Sequence, residues 1–338
     1  MTEYFRPLIQ YEPTLPHGAV RLADGWCWFE RVEVIRRDGP CEICAARDVP
    51  GPILDRLAAP RHAIAGLSMD APRLMGILNV TPDSFSDGGQ FDALETASRQ
   101  AMKLVADGAD ILDIGGESTR PGAREVPVAE EIGRVMPVLG AVCGRVPVPI
   151  SIDTRKSAVA QRALAAGVSI VNDVSGLSFD RQMAETVAEN DVAVCLMHAQ
   201  GTPETMQSDP SYDNVLLDIY DWLEARIEAA VAAGIARSNI IVDPGIGFGK
   251  TMRQNLALLR GVALFHGLGC PLMLGTSRKR FVGTLSGEDE AARRMPGSVG
   301  TALAGVAKGV QITRIHDVRE TRQALALWQA ATGAGQGR

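Results

Sequence analysis

Residues 240–251 read IIVDPGIGFGKT, and this stretch contains the unit from which the rest of the chain is built. A short apolar run ends at a polar residue, and a glycine-rich loop then leads into a helix-forming segment. The final Gly-Lys-Thr is also how a phosphate-binding P-loop, G-x-x-x-x-G-K-[ST], ends. That motif requires a glycine at position 244, where this chain has Pro244, and proline has no N–H to donate to a phosphate. The stretch therefore predicts strand, loop and helix, and not a nucleotide site.

The same unit recurs from about residue 74 onward, with short apolar runs of the kind found in strands that are buried on both faces of a parallel sheet. Eight units over about 260 residues match a (β/α)8 TIM barrel in strand count and size. A doubly wound α/β sheet is the alternative. The barrel is favoured because no G-x-G-x-x-G follows the first strand and because polar residues end nearly every strand. The predicted strands are LMGILNV (74–80), ADILDIG (109–115), VPISIDT (148–154), SIVNDVS (169–175), AVCLMH (193–198), IIVDPG (240–245), PLMLGT (271–276) and VQITRIH (310–316).

Composition narrows the class of protein. The chain has 46% hydrophobic and 22% charged residues, which is ordinary for a globular protein, and its net charge of −6 argues against a general nucleic-acid binder. The N-terminus lacks a secretory signal and no run approaches the length of a membrane span, so we expect a cytoplasmic protein.

The six cysteines are expected to be reduced thiols without a disulfide framework. Cys41 and Cys44 form a C-x-x-C pair, but a structural zinc site needs four ligands and no second pair lies nearby. We interpret them as two thiols in a surface turn after Gly39 and Pro40.

Residues 1–70 differ from the rest, since they carry proline, tryptophan and charge but no strand–helix repeat. The segment GWCWFERVEVIRRDG (25–39) predicts a strand pair that turns at Asp38 and Gly39. The segment LDRLAAPRHAIAGLSMDAP (54–72) is interpreted as a linker. The predicted organisation is an N-terminal extension of unknown role over 1–70, a barrel over 71–333 and a C-terminal tail over 334–338.

Polar residues stand at the end of each predicted strand. Any one of them has a structural explanation, such as capping the next helix or closing a turn. Burying all of them together at one end of the barrel is unfavourable unless they have hydrogen-bond partners. A polar ligand that supplies those partners is the simpler explanation of their positions. In chain order the polar residues are Asn79, Asp113, Asp153, Asn172, Asp173, His198, Asp243, Ser277, Arg278, Lys279, Arg314 and His316.

The types of these side chains indicate the ligand. Carboxylate and amide acceptors on the third, fourth and sixth strands suit a flat heterocycle with several N–H donors. The cations and the histidine of the last two strands lie where barrels commonly bind phosphate. Asn79 and the acids of the first loop are candidates to place a hard metal ion against those oxygens. Together they predict a heterocycle that carries a phosphate or pyrophosphate.

Eight blocks of this sequence closely resemble the dihydropteroate synthase family, in the family's order and spacing, from about Met75 to about Gly333. They are MGILNVTPDSFSDGG, DIGGESTRPGA, ISIDTRK, NDVSG, LMHAQGTPETMQ, DPGIGFGK, GTSRKRFVG and RIHDV. The resemblance implies a pterin-binding barrel, a homodimer that depends on Mg²⁺. It implies a transferase that condenses 6-hydroxymethyl-7,8-dihydropterin pyrophosphate with p-aminobenzoate, giving dihydropteroate and pyrophosphate in folate biosynthesis.

The resemblance also implies roles for individual residues. The pterin ring is held by Asp153, Asn172, Asp243 and Lys279 in a pocket lined by Cys195, Met197 and Phe248. The pyrophosphate is bound by Asn79, Arg314 and His316, with Asn79 at the metal. The p-aminobenzoate site is formed by Phe85, Thr119, Arg120, Pro121 and Ser277. The residues expected to act in catalysis are Asp87, Lys279, Arg314 and His316.

Two alternatives remain open. A related pterin barrel, a folate-dependent methyltransferase, would not need the pyrophosphate residues Arg314 and His316. A non-catalytic pterin-binding paralogue would have lost loop residues, yet Asn79, Asp87 and Thr119 are all present. Departures from the family pattern are modest: Ile246 replaces a frequent aromatic residue and Ala199 a frequent methionine.

Overall fold

The computed structural model describes residues 2–81, 90–118, 120, 122–201, 205–206 and 208–335, with residues 90–93 as backbone only. The N-terminal extension forms small antiparallel sheets. Strand β4 lies between β1 and β5, and the segment that joins β4 to β5 contains Asp38 and Gly39. The strands of the extension are β1 Glu3–Pro7, β2 Val20–Arg21, β3 Trp28–Phe29, β4 Arg31–Arg36 and β5 Glu42–Ala45.

The rest of the chain confirms the barrel. Eight parallel strands are hydrogen-bonded in the order β11-β10-β9-β8-β7-β6-β13-β12. The first and last strands of this order meet where Val242 N donates to Pro271 O at 3.0 Å, next to a bridge between Val242 and Leu272. These strands are β6 Arg73–Asn79, β7 Ile111–Gly115, β8 Ile150–Asp153, β9 Ile170–Asp173, β10 Ala193–Met197, β11 Ile240–Asp243, β12 Met273–Leu274 and β13 Ile312–Ile315.

Helices follow the strands and pack around them, because each connection must cross from one end of the barrel to the other. The α-helices are α1 Gly51–Ala58, α2 Gln90–Ala106, α3 Val128–Val142, α4 Ser157–Ala165, α5 Met183–Glu189, α6 Val215–Ala232, α7 Met252–Gly261, α8 Arg280–Ser286, α9 Met295–Val306 and α10 Val318–Thr332. Short 3-10 helices span Leu22–Asp24, Ala46–Asp48, Arg237–Asn239, Val262–Leu268 and Ala291–Arg294. In the described ranges, none of these helices combines the length and the apolar character needed to cross a membrane.

The interpretation of residues 54–72 as a linker is wrong. Its first residues belong to α1, and Ile64 and Met69 are 0% and 1% exposed. Both pack in an apolar cluster with residues from the beginnings of the barrel strands, among them Met75, Ile111 and Ile312. This segment therefore fills the N-terminal end of the barrel, which we term the floor, and buries side chains that would otherwise face water.

The extension also contacts the outside of the barrel. Tyr4 Oη donates to both carboxylate oxygens of Asp221 on α6 at 2.8 and 2.9 Å, and Arg37 pairs with Asp218 and Asp221 at 2.7 and 2.6 Å. Trp26 Nε1 donates to Val306 O at the end of α9 at 2.9 Å. These contacts attach the small sheets to two helices of the barrel.

Candidate active site

One arginine forms ion pairs with two aspartates at the mouth of the barrel, the end formed by the carboxyl ends of the strands. Arg314 of β13 donates from Nε to Asp113 Oδ2 and from Nη2 to Asp153 Oδ2, both at 2.6 Å. Strand register places Asp153 beside Asn172, whose Nδ2 donates to Asp113 Oδ2 at 3.2 Å. The alternation of side chains along each strand turns all four residues into the barrel.

Three acceptors of this group are left without a donor in the described part of the chain. They are the Oδ1 atoms of Asp113, Asp153 and Asn172, all of them buried. A buried acceptor without a partner is unfavourable by about 1–3 kcal/mol, so three together indicate missing N–H donors. By contrast Asp173, the next residue of β9, accepts from Ser175 and Leu177 within its own turn.

Burial also sets the charge state of the carboxylates. It raises the pKa of Asp153 to about 7; the Arg314 guanidinium opposes this shift and the Asp113 carboxylate adds to it. On the neighbouring β11, burial raises the pKa of Asp243, against the pull of Lys279 and of the Gly245 N–H, which donates to Asp243 Oδ1 at 2.7 Å. Burial favours the neutral form of each carboxyl, and the neighbouring Arg314 and Lys279 cations oppose it.

Lys279 lies near both the Asp243 carboxylate and the ring of Phe248. Its Nζ lies over the ring of Phe248, 4.3 Å from the centroid, and donates to Ile246 O. Burial lowers the pKa of Lys279 to about 8, although Asp243 opposes the shift. Met197 pairs in register with Asp243 and is buried beside it.

Cys195 lies deeper, among the apolar side chains of the floor. Burial raises the pKa of its thiol well above the usual value, and the Asp243 and Asp113 carboxylates contribute to the shift. The thiol therefore stays protonated and lies between the floor and the polar mouth.

His316 contacts Ser277 and is influenced by the charges of several cations. Its Nδ1 lies 3.0 Å from Ser277 Oγ, which also accepts from the His316 N–H at 3.1 Å. Burial lowers the pKa of this imidazole to about 3, with further contributions from the Arg278, Arg314, Arg120 and Lys279 charges. The positive potential at this half-buried neutral histidine makes this flank of the mouth suited to an anion.

Asn79 is the last residue of β6 and pairs with Gly115. Within the described ranges no three His, Cys, Asp or Glu side chains come together in a way that would hold a metal ion. Arg120 is described and exposed. The predicted residues Phe85, Asp87, Thr119 and Pro121 lie outside the described residues.

The Gly-Lys-Thr stretch has a structural explanation. Thr251 caps α7 in a reciprocal pair with Gln254, and Lys250 Nζ donates to Phe248 O at 2.8 Å and to His198 O at 3.3 Å. Gly245 has φ +68°, and a Cβ there would lie 1.9 Å from His198 O. The glycine is therefore required where the backbone passes the β10 loop, a reason unrelated to a ligand.

Two residues at the mouth gained no role from sequence reasoning. Asp113 accepts from both Arg314 and Asn172, and Arg278 acts on His316 while its own side chain pairs with Asp317. Asp113 interrupts an otherwise apolar strand, ILDIG, and that interruption was the available signal. Arg278 has φ +58°, a conformation that no sequence pattern indicated.

Known proteins that are similar to this chain in sequence and shape are dihydropteroate synthases. A family model described as "pterin binding enzyme" matches residues 75–316. A dihydropteroate synthase from Neisseria meningitidis serogroup B is 48% identical over 269 residues, which cover 78% of this chain and 94% of that protein.

Solved structures agree with this. Xanthomonas albilineans dihydropteroate synthase with 4-aminobenzoic acid superposes with a TM-score of 0.76 at 44% identity, covering 80% of this chain and 98% of the other. The same enzyme in complex with 7,8-dihydropteroate gives 0.73 at 41%, again covering 80% and 98%. This chain belongs to the pterin-binding enzymes and, among them, to the dihydropteroate synthases, which are transferases of folate biosynthesis.

Proposed function

We propose that the mouth of the barrel is where the chain condenses 6-hydroxymethyl-7,8-dihydropterin pyrophosphate with p-aminobenzoate, giving dihydropteroate and pyrophosphate. The observation that carries this assignment is the division of the mouth into two flanks. One flank presents three buried acceptors that have no donor among the described residues, and the other carries His316, whose pKa is lowered by the charges of Arg278, Arg314, Arg120 and Lys279. A ring with N–H donors and an anionic tail satisfies both flanks at once.

The pterin ring lies against the acceptor flank. Asp153, Asn172 and Asp243 accept its N–H groups, and Phe248 and Met197 cover its faces. Lys279 is close to both Asp243 and Phe248, so it donates to ring acceptors while neutralising the carboxylate. Cys195 lies beneath the ring as an inert thiol, because its pKa is raised.

The pyrophosphate lies against the cation flank. The bond between its oxygen and the pterin methylene breaks with the electron pair going to the oxygen, and Arg314 and His316 stabilise the departing charge. His316 is neutral in the free protein, so it donates one hydrogen bond without adding a charge. Fixed donors aimed at a developing charge are the most effective form of such stabilisation.

The amine of p-aminobenzoate forms the new C–N bond and gives up a proton. We assign this substrate to a site formed by Ser277, Arg120 and the predicted residues Phe85, Thr119 and Pro121, with Asp87 stabilising positive charge on the methylene.

Mg²⁺ is part of the proposal as a partner of the pyrophosphate. Mg²⁺ in proteins keeps several waters and needs few protein ligands when phosphate oxygens supply the rest. Asn79 at the end of β6 offers one side-chain oxygen of the required kind, which fits such a site. The ion would neutralise charge on the leaving oxygens.

We further propose that the enzyme is a cytoplasmic homodimer. Support for the compartment comes from the cysteines, all six of which are free thiols. Analytical ultracentrifugation of the full chain tests the dimer.

Pyrophosphate release from dihydropterin pyrophosphate, measured with and without p-aminobenzoate, tests the function. Release that depends on p-aminobenzoate and yields dihydropteroate supports it. Binding without turnover would instead indicate a non-catalytic pterin-binding protein, and methyl transfer from methyltetrahydrofolate would indicate a methyltransferase.

A further inference from the structure

A buried ionic network joins Glu117 to Val126. These residues lie near the two ends of the second loop, residues 116–127, of which 119 and 121 are outside the described part of the chain. The centre of the network is Lys156, which precedes α4 and is buried. Lys156 Nζ donates to Glu131 Oε2 at 2.6 Å, to Glu117 Oε2 at 3.1 Å and to Val126 O at 2.7 Å. Three acceptors satisfy all three protons of the ammonium group.

Glu117 completes the attachment of the loop. Its Oε1 accepts from Val126 N at 2.9 Å, so Glu117 and Lys156 together bind both backbone groups of Val126. Burial alone would raise the pKa of Glu117, but the Val126 N–H and the Arg155 and Lys156 cations lower it below its usual value. The carboxylate is therefore charged, as its bonds require.

The other end of the loop is also fixed. Arg134 Nη1 donates to Gly116 O at 2.7 Å, and a Cβ at Gly116 would lie 2.8 Å from Val135 Cγ1 of α3. The ends of the loop are thus attached to α3 and to the start of α4, while Gly122, Arg124 and Glu125 between them are exposed. Arg120, in the same stretch, is the residue of this loop whose charge reaches His316.

Stability alone is a weak explanation for this network. Replacing a buried ion pair by apolar side chains of similar volume is often neutral or stabilising, because the attraction barely offsets the loss of hydration. What the network specifies is geometry: it joins Glu117 to Val126, nine positions later in the chain. Bonds that join the two ends of the loop restrict the positions open to Arg120, a described residue between them.

We propose that Lys156 is a positioning residue for the second substrate, acting through Glu117 and Val126 to fix the loop that carries Arg120. This inference rests on the proposed placement of p-aminobenzoate at that loop. Lys156 is buried, and its ammonium group donates to Glu117, Glu131 and Val126 O, which leaves it no proton for a substrate. Its loss should therefore weaken use of p-aminobenzoate and leave the pterin flank intact.

The test compares Lys156→Met and Lys156→Arg in the full-length enzyme. In Lys156→Met the KM for p-aminobenzoate should rise by roughly tenfold to a hundredfold, because misplaced positioning residues act on that scale. The Kd for dihydropterin pyrophosphate, measured by calorimetry, should change by less than about twofold. Lys156→Arg retains the positive charge, so its KM for p-aminobenzoate should lie much closer to the wild-type value than that of Lys156→Met. Lys103→Met, at an exposed ion pair on α2, is the matched control and should change neither.

Trypsin provides a second readout, since Arg124 is an exposed cleavage site within the loop. Cleavage after Arg124 should be faster in Lys156→Met than in the wild type or in Lys156→Arg. If Lys156→Met does not fold, Glu117→Gln decides, because its amide keeps an acceptor for Val126 N but loses the ion pair, and it should show the same pattern at smaller size.

An unchanged KM for p-aminobenzoate in a folded variant overturns the proposal, and so does an equal weakening of both substrates. Failure of the proposed function has a different signature, because the wild type itself would then release no pyrophosphate in response to p-aminobenzoate.

Discussion

The floor and the mouth of the barrel are formed by the same eight strands and have opposite chemistry. At the floor, Met75, Ile111 and Ile312 pack against Ile64 and Met69, and this cluster consists of apolar side chains and the Cys195 thiol. At the mouth, further along the same strands, charged and amide side chains are buried, and three of their acceptor atoms have no partner in the part of the chain that the structure describes. The floor is packed by the protein's own side chains, whereas at the mouth we propose that a ligand supplies the missing donors. Substitutions at the floor should therefore lower stability alone, whereas substitutions at the mouth should lower ligand binding and turnover.

The largest effect is expected at Arg314. Arg314→Met removes the partner of both Asp113 and Asp153, and leaving buried charges unpaired costs about 3–5 kcal/mol. Turnover should fall at least about a hundredfold, as when a donor to a developing charge is removed. Because Arg314 also orients Asp153, pterin affinity should fall with it. Steady-state kinetics and calorimetry measure the two losses, and an unchanged turnover number would exclude Arg314 from the mechanism.

The floor should respond in stability and not in chemistry. Met69→Ala leaves a cavity in a packed cluster and should lower the free energy of unfolding by about 2–5 kcal/mol. The turnover number below the unfolding transition should stay at the wild-type value. Met102→Ala, at an exposed position of α2, is the control and should change stability little. A lower turnover number in folded Met69→Ala would show that the two ends are coupled.

A smaller effect is expected from Asp243→Asn. Asp243 Oδ1 already accepts from the Gly245 N–H, and in the amide the other terminal atom becomes a donor that cannot accept from the ring, so pterin binding should weaken by about 1–3 kcal/mol, or roughly fivefold to 150-fold. Calorimetric titration with the pterin substrate measures this, with Asp55→Asn on α1 as an exposed control. Wild-type affinity in Asp243→Asn would remove Asp243 from ring recognition.

The smallest effect concerns pH. Lys279 has a pKa of about 8 in the folded protein, below its usual value, so its charge is lost as pH rises through that point. Affinity for inorganic pyrophosphate should fall between pH 7 and 9.5, by up to about tenfold. In Lys279→Arg the cation persists across this range, so the fall should be smaller. Identical pH profiles for the two proteins would show that Lys279 does not act on the anion.

The strands of the barrel were predictable because each is a short apolar run that ends in a polar residue, a local pattern. The pairing of Arg314 with Asp113 was not, since 201 positions separate them and closure of the barrel brings them together. The insertion of Ile64 and Met69 was missed for a related reason: single apolar residues among prolines and glycines show no periodicity. The reason for Gly245 was equally hidden, because His198 O, which leaves no room for a Cβ there, lies 47 positions earlier in the chain.

The segment that fills the floor has a consequence for how the chain matures. Ile64 and Met69 precede every barrel strand in the sequence, so the ribosome synthesises the segment that covers the floor before it synthesises the barrel sheet. A polypeptide beginning after residue 70 would retain every polar group of the described mouth, yet water would reach the sulphur and hydrocarbon surfaces at the opposite end. Such a fragment would keep the polar residues of the mouth but would tend to aggregate through the exposed floor. Trimming the chain to the part that matches the family model would therefore lower its solubility without removing the mouth.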